Sequence, residues 1–317
     1  MFFADKGATN LMKTILTEKK KDAIFYVLIM IFPIAQFLVF YVGVNFNSIL
    51  LAFKDYHLNM DTGKFEYVFS GFEQFKNVFL KLSIDPKLKS AVPNSIILYV
   101  IGLVISSPLS LFFSYYIYKK KFASSFFRIA LFLPSIISPI VLGVMFNNFA
   151  EEAIPAYIFK WFNVECPNLI SDSGTRFTTL VFYNIWVGFG TSTLLYSSSM
   201  SSIDSEITEA AQLDACTGVK EFIYIVFPLI YSTWSTFFYT GLVGIFTNQL
   251  HLHAFFGNGA PTPVYTIGYY MYVQTQSGTL ETYPYLSAMG IMMTVVVIPV
   301  VFFVKWLLRK VGPSTEA

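Results

Sequence analysis

The sequence predicts an all-α integral membrane protein with about six transmembrane helices, and three observations lead there. Of its 317 residues, 55% are apolar and only 13% charged, against about 25% charged in an average soluble domain. The mean hydropathy is +0.59. Residues 23–53, 90–118, 129–150, 177–203, 222–280 and 282–304 contain no Asp, Glu, Lys or Arg. A bilayer-crossing helix takes about 20 mostly apolar residues, and each run is long enough for one. Core helices of a large soluble protein would carry charged outer faces, which these runs lack.

Taken in order, an N-terminal segment 1–22 is polar and basic, and the first apolar run is too long to be the core of a cleavable signal peptide. Spans are expected near 23–44, 92–118, 127–149, 178–200, 224–248 and 284–307. They give a transmembrane domain over 23–310, a long outer loop at 45–91, an inner loop at 201–223 and a tail at 311–317. Pro93, Pro108 and Pro134 interrupt the second and third spans. Proline removes a backbone donor and kinks a helix, and it is also simply common in membrane helices.

Lys and Arg are retained on the cytoplasmic side, which orients the chain. Lys6, Lys13, Lys19, Lys20 and Lys21 precede the first span, Lys119, Lys120, Lys121 and Arg128 lie between the second and third, and Lys305, Arg309 and Lys310 follow the last. An even number of spans places all of these, both termini and the 201–223 loop on the cytoplasmic face of a bacterial cell membrane. Residues 249–283 hold Gly, Pro and Gln at a density unsuited to a lipid-facing helix. They form either a surface loop or a re-entrant stretch shielded by protein, and a count of five spans with an additional half-helix is the alternative. Cys166 and Cys216 fall on opposite sides of this topology, spaced neither as a metal pair nor as a redox motif. His251 and His253, at i, i+2 with no carboxylate nearby, make a poor metal site.

One segment between spans is not oily. "EITEAAQLDACTGVKEFIYIVFPLI", residues 206–230, sets Glu206, Glu209, Asp214 and Glu221 among small residues. Asp204 and Ser205 are good N-caps, and Glu206 and Glu209 place negative charge in the first turns, where the helix dipole favours it. After "ACTG" a second helical pattern begins, with Thr217 as its expected cap. Two helices at an angle result, one lying along the cytoplasmic surface and one rising into the bilayer. Interfacial helices normally favour Lys and Arg, which anionic lipid attracts, so a net negative one points to a protein partner. Ala210 and Ala211 let that partner approach closely.

The same segment resembles the EAA signature of permease subunits in bacterial ABC importers. Glu209, Ala210, Ala211, Asp214, Phe222, Ile225 and Pro228 occupy the matching places. "FRIALFLPSIISPIV" at 127–141, "NIWVGFG" at 184–190 and "GNGAPTPVYT" at 257–266 are similar to flanking motifs of the carbohydrate-type permeases, those importing maltose and other oligosaccharides. The likeness covers roughly residues 67–310, in family order. It implies a type I ABC importer permease arrangement, a second homologous permease, two cytoplasmic ATPase subunits that bind ATP and Mg, and an extracellular solute-binding protein that delivers a neutral sugar or oligosaccharide. It also implies that the ATPase grips Glu206, Glu209, Ala210, Ala211, Asp214, Ala215 and Gly218. Two positions depart from the pattern: Ala215 and Ala260 stand where the family carries glycine.

No nucleotide site is legible in the chain. Its only Gly-Lys pair, Gly63-Lys64, has Leu58 where a P-loop needs its first glycine and Phe65 where it needs a hydroxyl. The resemblance therefore implies a transporter subunit without a cofactor of its own, embedded in membrane lipid and expected to bind no nucleic acid. Intramembrane charge marks ion-coupled carriers, and the spans hold almost none, which weakens the alternative of a secondary carrier or channel acting alone. An ABC permease for a non-sugar solute is the other alternative. Sugars call for amide groups and aromatic faces. Asn184, Trp186, Gly188 and Thr191 on the fourth span, with Tyr239, Asn248 and Gln249 on or just after the fifth, are the candidate cargo-binding residues. Small and amide residues also pack membrane helices together.

Overall fold

The computed structural model describes residues 21–60 and 63–313. Lys6, Lys13, Lys19 and Lys20, expected before the first span, and the end of the expected tail lie outside the described residues. Helix α1 (Lys21–Leu51) is a continuous apolar rod of 31 residues, exposed along nearly its whole length. The 45–91 segment, expected as a loop, is structured. Strands β1 (Lys54–Asn59) and β2 (Lys64–Phe69) pair antiparallel with Tyr56 opposite Tyr67, and helix α2 (Glu73–Ile84) follows. The hairpin's signal was present as alternation: Tyr56 and Leu58 on one strand, Phe65 and Tyr67 on the other, share a face, around a turn where Gly63 takes φ 64°.

Helix α3 (Pro86–Tyr118) runs 33 residues and is started by Asp85, whose side chain accepts from the Lys87 N–H at 2.8 Å. Pro93 sits inside it without a break. Pro108 acts differently: residues Gly102–Ser106 ahead of it form a widened π turn. The same device recurs at Phe149–Ala153 before Pro155 and at Phe222–Val226 before Pro228. In each case the residue four before the proline is the centre of the widened turn. That is where a proline ring would collide with the helix carbonyl, and widening the turn relieves the clash without ending the helix.

The third expected span, 127–149, is not one straight helix. Helix α4 (Ser124–Ile136) passes through Pro134 and stops. Helix α5 (Pro139–Phe162) starts at an angle of 103° to it. The break belongs to Ser138-Pro139 rather than to Pro134, because a residue before proline is pushed out of the helical region; Ile137 and Ser138 have ψ 143° and 128°. Helix α6 (Arg176–Ser201), then α7 (Ser205–Leu213), α8 (Val219–Leu229), α9 (Tyr231–Thr247), α10 (Leu252–Phe256), α11 (Ile267–Ser277) and α12 (Thr282–Val311) complete the chain. A bend of 71° separates α8 from the helical stretch that begins with α9.

Among the described residues, α1, α3 and α12 are long and apolar enough to cross a membrane, and each bent pair adds one more candidate. Helix α6, the fourth expected span, has the length but is less apolar, with Ser192, Ser197, Ser198, Ser199 and Ser201 along it. Its position explains this. Leu180, Tyr183, Phe189, Thr193, Tyr196 and Met200 are buried, so much of its surface meets protein rather than lipid.

The 249–283 segment is no surface loop. Tyr265, Ile267, Tyr269 and Tyr270 are at most 2% exposed and form the main core with Leu88 and Ala91 of α3, Leu180 of α6 and Ala288 and Met289 of α12. A second cluster lies at the basic end, where Leu111, Tyr196, Met200, Val226 and Ile230 join α3, α6 and α8.

Helices α4 and α6 touch backbone to backbone at Gly190. An added Cβ there would fall on the Leu131 carbonyl and within 2.9 Å of the Phe132 Cα, whereas one at Gly188 would meet nothing within 4 Å. Gly190→Ala is therefore expected to lose about 3 kcal/mol or more by overpacking, with a collapsed monodisperse yield in detergent chromatography. Gly188→Ala is expected to leave yield and thermal stability unchanged.

Candidate functional site

A cavity of about 390 Å³ opens between α3, α6 and α9. Its wall on α3 includes Ser95, Tyr99, Gly102, Ser106, Ser107 and Ser110. Asn184, Ser192 and Tyr196 face it from α6, and Trp234, Phe237, Phe238, Thr240 and Gly244 from α9, with Asn248 at the end. None of its lining residues is charged. The π turn at Gly102–Ser106 forms part of this wall, so the widening that Pro108 imposes lies at the cavity.

The polar groups are held in place by bonds to the frame. The Trp234 indole N–H donates to the Ser107 hydroxyl at 3.2 Å, and the Tyr99 hydroxyl donates to the Phe238 carbonyl at 3.2 Å, tying α3 to α9. Ser95 accepts from the Ile267 N–H at 3.0 Å. The Asn248 side-chain oxygen accepts from the Leu250 N–H at 2.8 Å, leaving its amide N–H₂ available to the cavity. The Ser110 hydroxyl, fully buried, has no hydrogen-bond partner.

Of the seven expected cargo-binding residues, the cavity brings together Asn184 and Asn248. Gly188 and Thr191 are exposed on α6 outside its lining. Trp186 turns to the other side of α6 and packs its ring against Phe146, at 6.1 Å, and Tyr183. Tyr239 faces α12, with the Lys305 ammonium 5.8 Å from its ring and its hydroxyl 3.0 Å from that of Thr236. Gln249 is only part-exposed, and its carbonyl accepts from the Leu252 N–H. Composition alone could not phase the helices. Sequence reasoning missed the α3 wall altogether, although its small hydroxyl residues recur at Ser95, Ser106, Ser107 and Ser110.

At the basic end, only residues 202–204 separate α7 from α6. Asp204 caps it, accepting from the Glu206 N–H at 3.1 Å. Thr208 and Ala211 are buried against the rest of the chain. Ala211 therefore faces the protein's own interior, not an approaching partner, while Glu206, Glu209, Ala210 and Asp214 are exposed. Leu213 is 89% exposed beside them. None of the three acids makes an ion pair among the described residues.

The two unusual alanines separate cleanly. The Cys216 N–H bonds the Ala211 carbonyl at 2.9 Å and the Ala215 N–H the Gln212 carbonyl at 3.1 Å, the paired bonds of a Schellman stop. Ala215 takes the left-handed position itself, at φ 56°. Gly218, at φ 63°, begins α8 in place of the expected Thr217. Ala260 is not among the positive-φ residues; its N–H donates to the Tyr269 hydroxyl at 3.2 Å. Alanine is strained at 215 and ordinary at 260.

Just beyond α7, Glu221 is 2% exposed and pairs with Lys119. The Tyr115 hydroxyl lies 3.1 Å from the same carboxylate and 3.0 Å from the Gly218 carbonyl. The cation sits at the C-terminus of α3 and the anion in the first turn of α8, each where its helix dipole favours it.

Residues 102–316 match the family model described as the binding-protein-dependent transport system inner membrane component. Protein LplB of Bacillus subtilis is 25% identical over 271 residues, covering 83% of this chain and 82% of that protein. The arabinooligosaccharides transport system permease protein AraP of Halalkalibacterium halodurans is 26% identical over 152 residues, 46% of this chain and about half (48%) of the relative's length. The fold superposes on a bacterial ABC transporter involved in the import of the acidic polysaccharide alginate, with TM-score 0.75 and 20% identity, over 95% of this chain and 100% of that one. The architecture is thus that of a type I ABC importer permease.

Ala215→Gly is expected to relieve the left-handed alanine and stabilise the α7–α8 turn by about 1 kcal/mol, seen as a small rise in the thermal unfolding midpoint.

Proposed function

The chain belongs to the family of binding-protein-dependent transport system inner membrane components, and on that premise we propose that it is the permease subunit of an ATP-driven importer for a neutral oligosaccharide. The observation that carries the cargo class is the uncharged cavity between α3, α6 and α9, walled by serine hydroxyls, two asparagines and the rings of Tyr99, Tyr196 and Trp234. Aromatic faces suit sugar rings and hydroxyls suit sugar hydroxyls. The alginate importer handles an acidic polymer, whereas a carboxylate in this cavity would meet no cation. A dehydrated, unpaired charge is strongly disfavoured.

In this reading α7 is the handle for a cytoplasmic ATPase. Glu206, Glu209 and Asp214 offer charge, Ala210 offers close approach, and Leu213 offers an apolar contact. Two ATPase subunits hold ATP and Mg, a second homologous permease completes the membrane unit, and an extracellular binding protein delivers the sugar. A periplasmic binding protein carrying a pentasaccharide accompanies the alginate transporter in a second solved complex, which supports the same arrangement here. Both termini and α7 then lie in the cytoplasm, and the β1–β2 hairpin and the α5–α6 connection lie outside.

Vesicles carrying the assembled transporter are expected to take up a labelled neutral oligosaccharide only with ATP and the binding protein. Ala210→Trp is expected to reduce uptake about tenfold or more, within the range of a lost coupling, while the chain stays inserted. Normal uptake by Ala210→Trp, or ATP-independent uptake by the chain alone, would overturn the proposal.

A further inference from the structure

Helix α7 and the cavity lie at different levels of the bundle, and the structure contains a specific tie between them. From Ser107 at the cavity to Lys119 at its end, α3 is about 18 Å of uninterrupted helix, at 1.5 Å per residue. Lys119 pairs with Glu221, two residues into α8, and Tyr115 bonds both Glu221 and the Gly218 carbonyl. Only five residues, 214–218, join α7 to α8, with Ala215 and Gly218 fixed in left-handed turns. The other contacts between α8 and α3 are apolar, such as Tyr115 against Phe222 with ring centres 5.2 Å apart. Apolar contacts are non-directional and permit sliding, whereas a buried ion pair with shared hydrogen bonds fixes register.

We propose that the Lys119–Glu221 pair is the coupling link that carries a displacement of α7 into α3 and so into the cavity wall. Both residues are positioning residues, acting through α3 on Ser107 and Ser110. The inference rests on α7 being the element the ATPase moves.

The test uses the full transporter with its ATPase subunits in lipid nanodiscs, with Cys166 and Cys216 replaced by serine. Spin labels at Gly102→Cys and Gly244→Cys, where an added Cβ meets nothing within 4 Å, report the distance across the cavity with and without ATP. In the parent transporter and in Lys119→Arg, which keeps the ion pair, ATP is expected to change this distance. In Lys119→Met/Glu221→Met, which removes both charges so that neither is left buried alone, the resting distance and ATPase binding are expected to persist while the ATP-dependent change shrinks about fivefold or more. Glu221→Gln, which retains an acceptor for Tyr115, is expected to show the same loss and serves if the double variant assembles poorly. A full ATP-dependent change in either variant that lacks the ion pair overturns the link alone. No ATP-dependent change in the parent, with ATPase bound, overturns the importer reading and the link with it.

Discussion

Irregular backbone at the centre of an apolar bundle has to find its hydrogen-bond partners within the protein, and the organisation of this chain follows from how it does so. Between Asn248 and Thr266 the chain is helical only in the short α10 and a single turn at Thr262–Val264, and that turn lies against α3. Asn94 donates to the carbonyls of Pro263 at 2.7 Å and Tyr265 at 2.9 Å, and Ser95 receives the Ile267 N–H. The Thr266 hydroxyl returns to the Asn248 carbonyl at 2.7 Å, and the Tyr269 hydroxyl closes on the Gly257 carbonyl at 2.7 Å. Thr266, Ile267 and Tyr269 are fully buried, so their polar groups would otherwise go unpaired. Once they are satisfied, α3 and α9 are fixed relative to one another, and the cavity between them has a defined wall.

That arrangement also explains which parts of the fold were legible in the sequence. Long charge-free runs locate helices well, because lipid selects for apolar residues over a whole span. They do not locate breaks. The bend between α4 and α5 is set by a single dipeptide, Ser138-Pro139, inside an apolar run, while Pro134, the more conspicuous proline, sits in regular helix. Helix α6 is less apolar than its neighbours because one side of it is buried in protein. The β1–β2 hairpin lies in a stretch of mixed charge, where Lys54, Asp55, Lys64 and Glu66 interrupt the alternation of Tyr56, Leu58, Phe65 and Tyr67.

The site divides in the same way. The start of helix α7 was readable, since its Asp204 cap, its acids and its alanines are local signals. The face it buries, carrying Thr208 and Ala211, was not, because that depends on what lies beneath. Asn184 and Asn248 fall on the cavity lining and Trp186 and Tyr239 do not, because a step of one or two residues along a helix decides which side a side chain occupies. The pairing of Lys119 with Glu221 joins positions in separate loops of the sequence. Each charge looked like an ordinary loop residue until folding brought the two helix ends together.

The central hydrogen bonds also set an order of events. Asn94 and Tyr265 are 171 residues apart, and Ser95 and Ile267 are 172 apart. Contacts so distant close late. During synthesis the first half of the chain enters the bilayer before its principal packing partner exists, and α3 waits with Asn94 and Ser95 unpaired until α11 emerges. The interior is therefore sealed by the last third of the polypeptide, and a ribosome that stalls short of residue 265 releases a set of inserted helices without a centre.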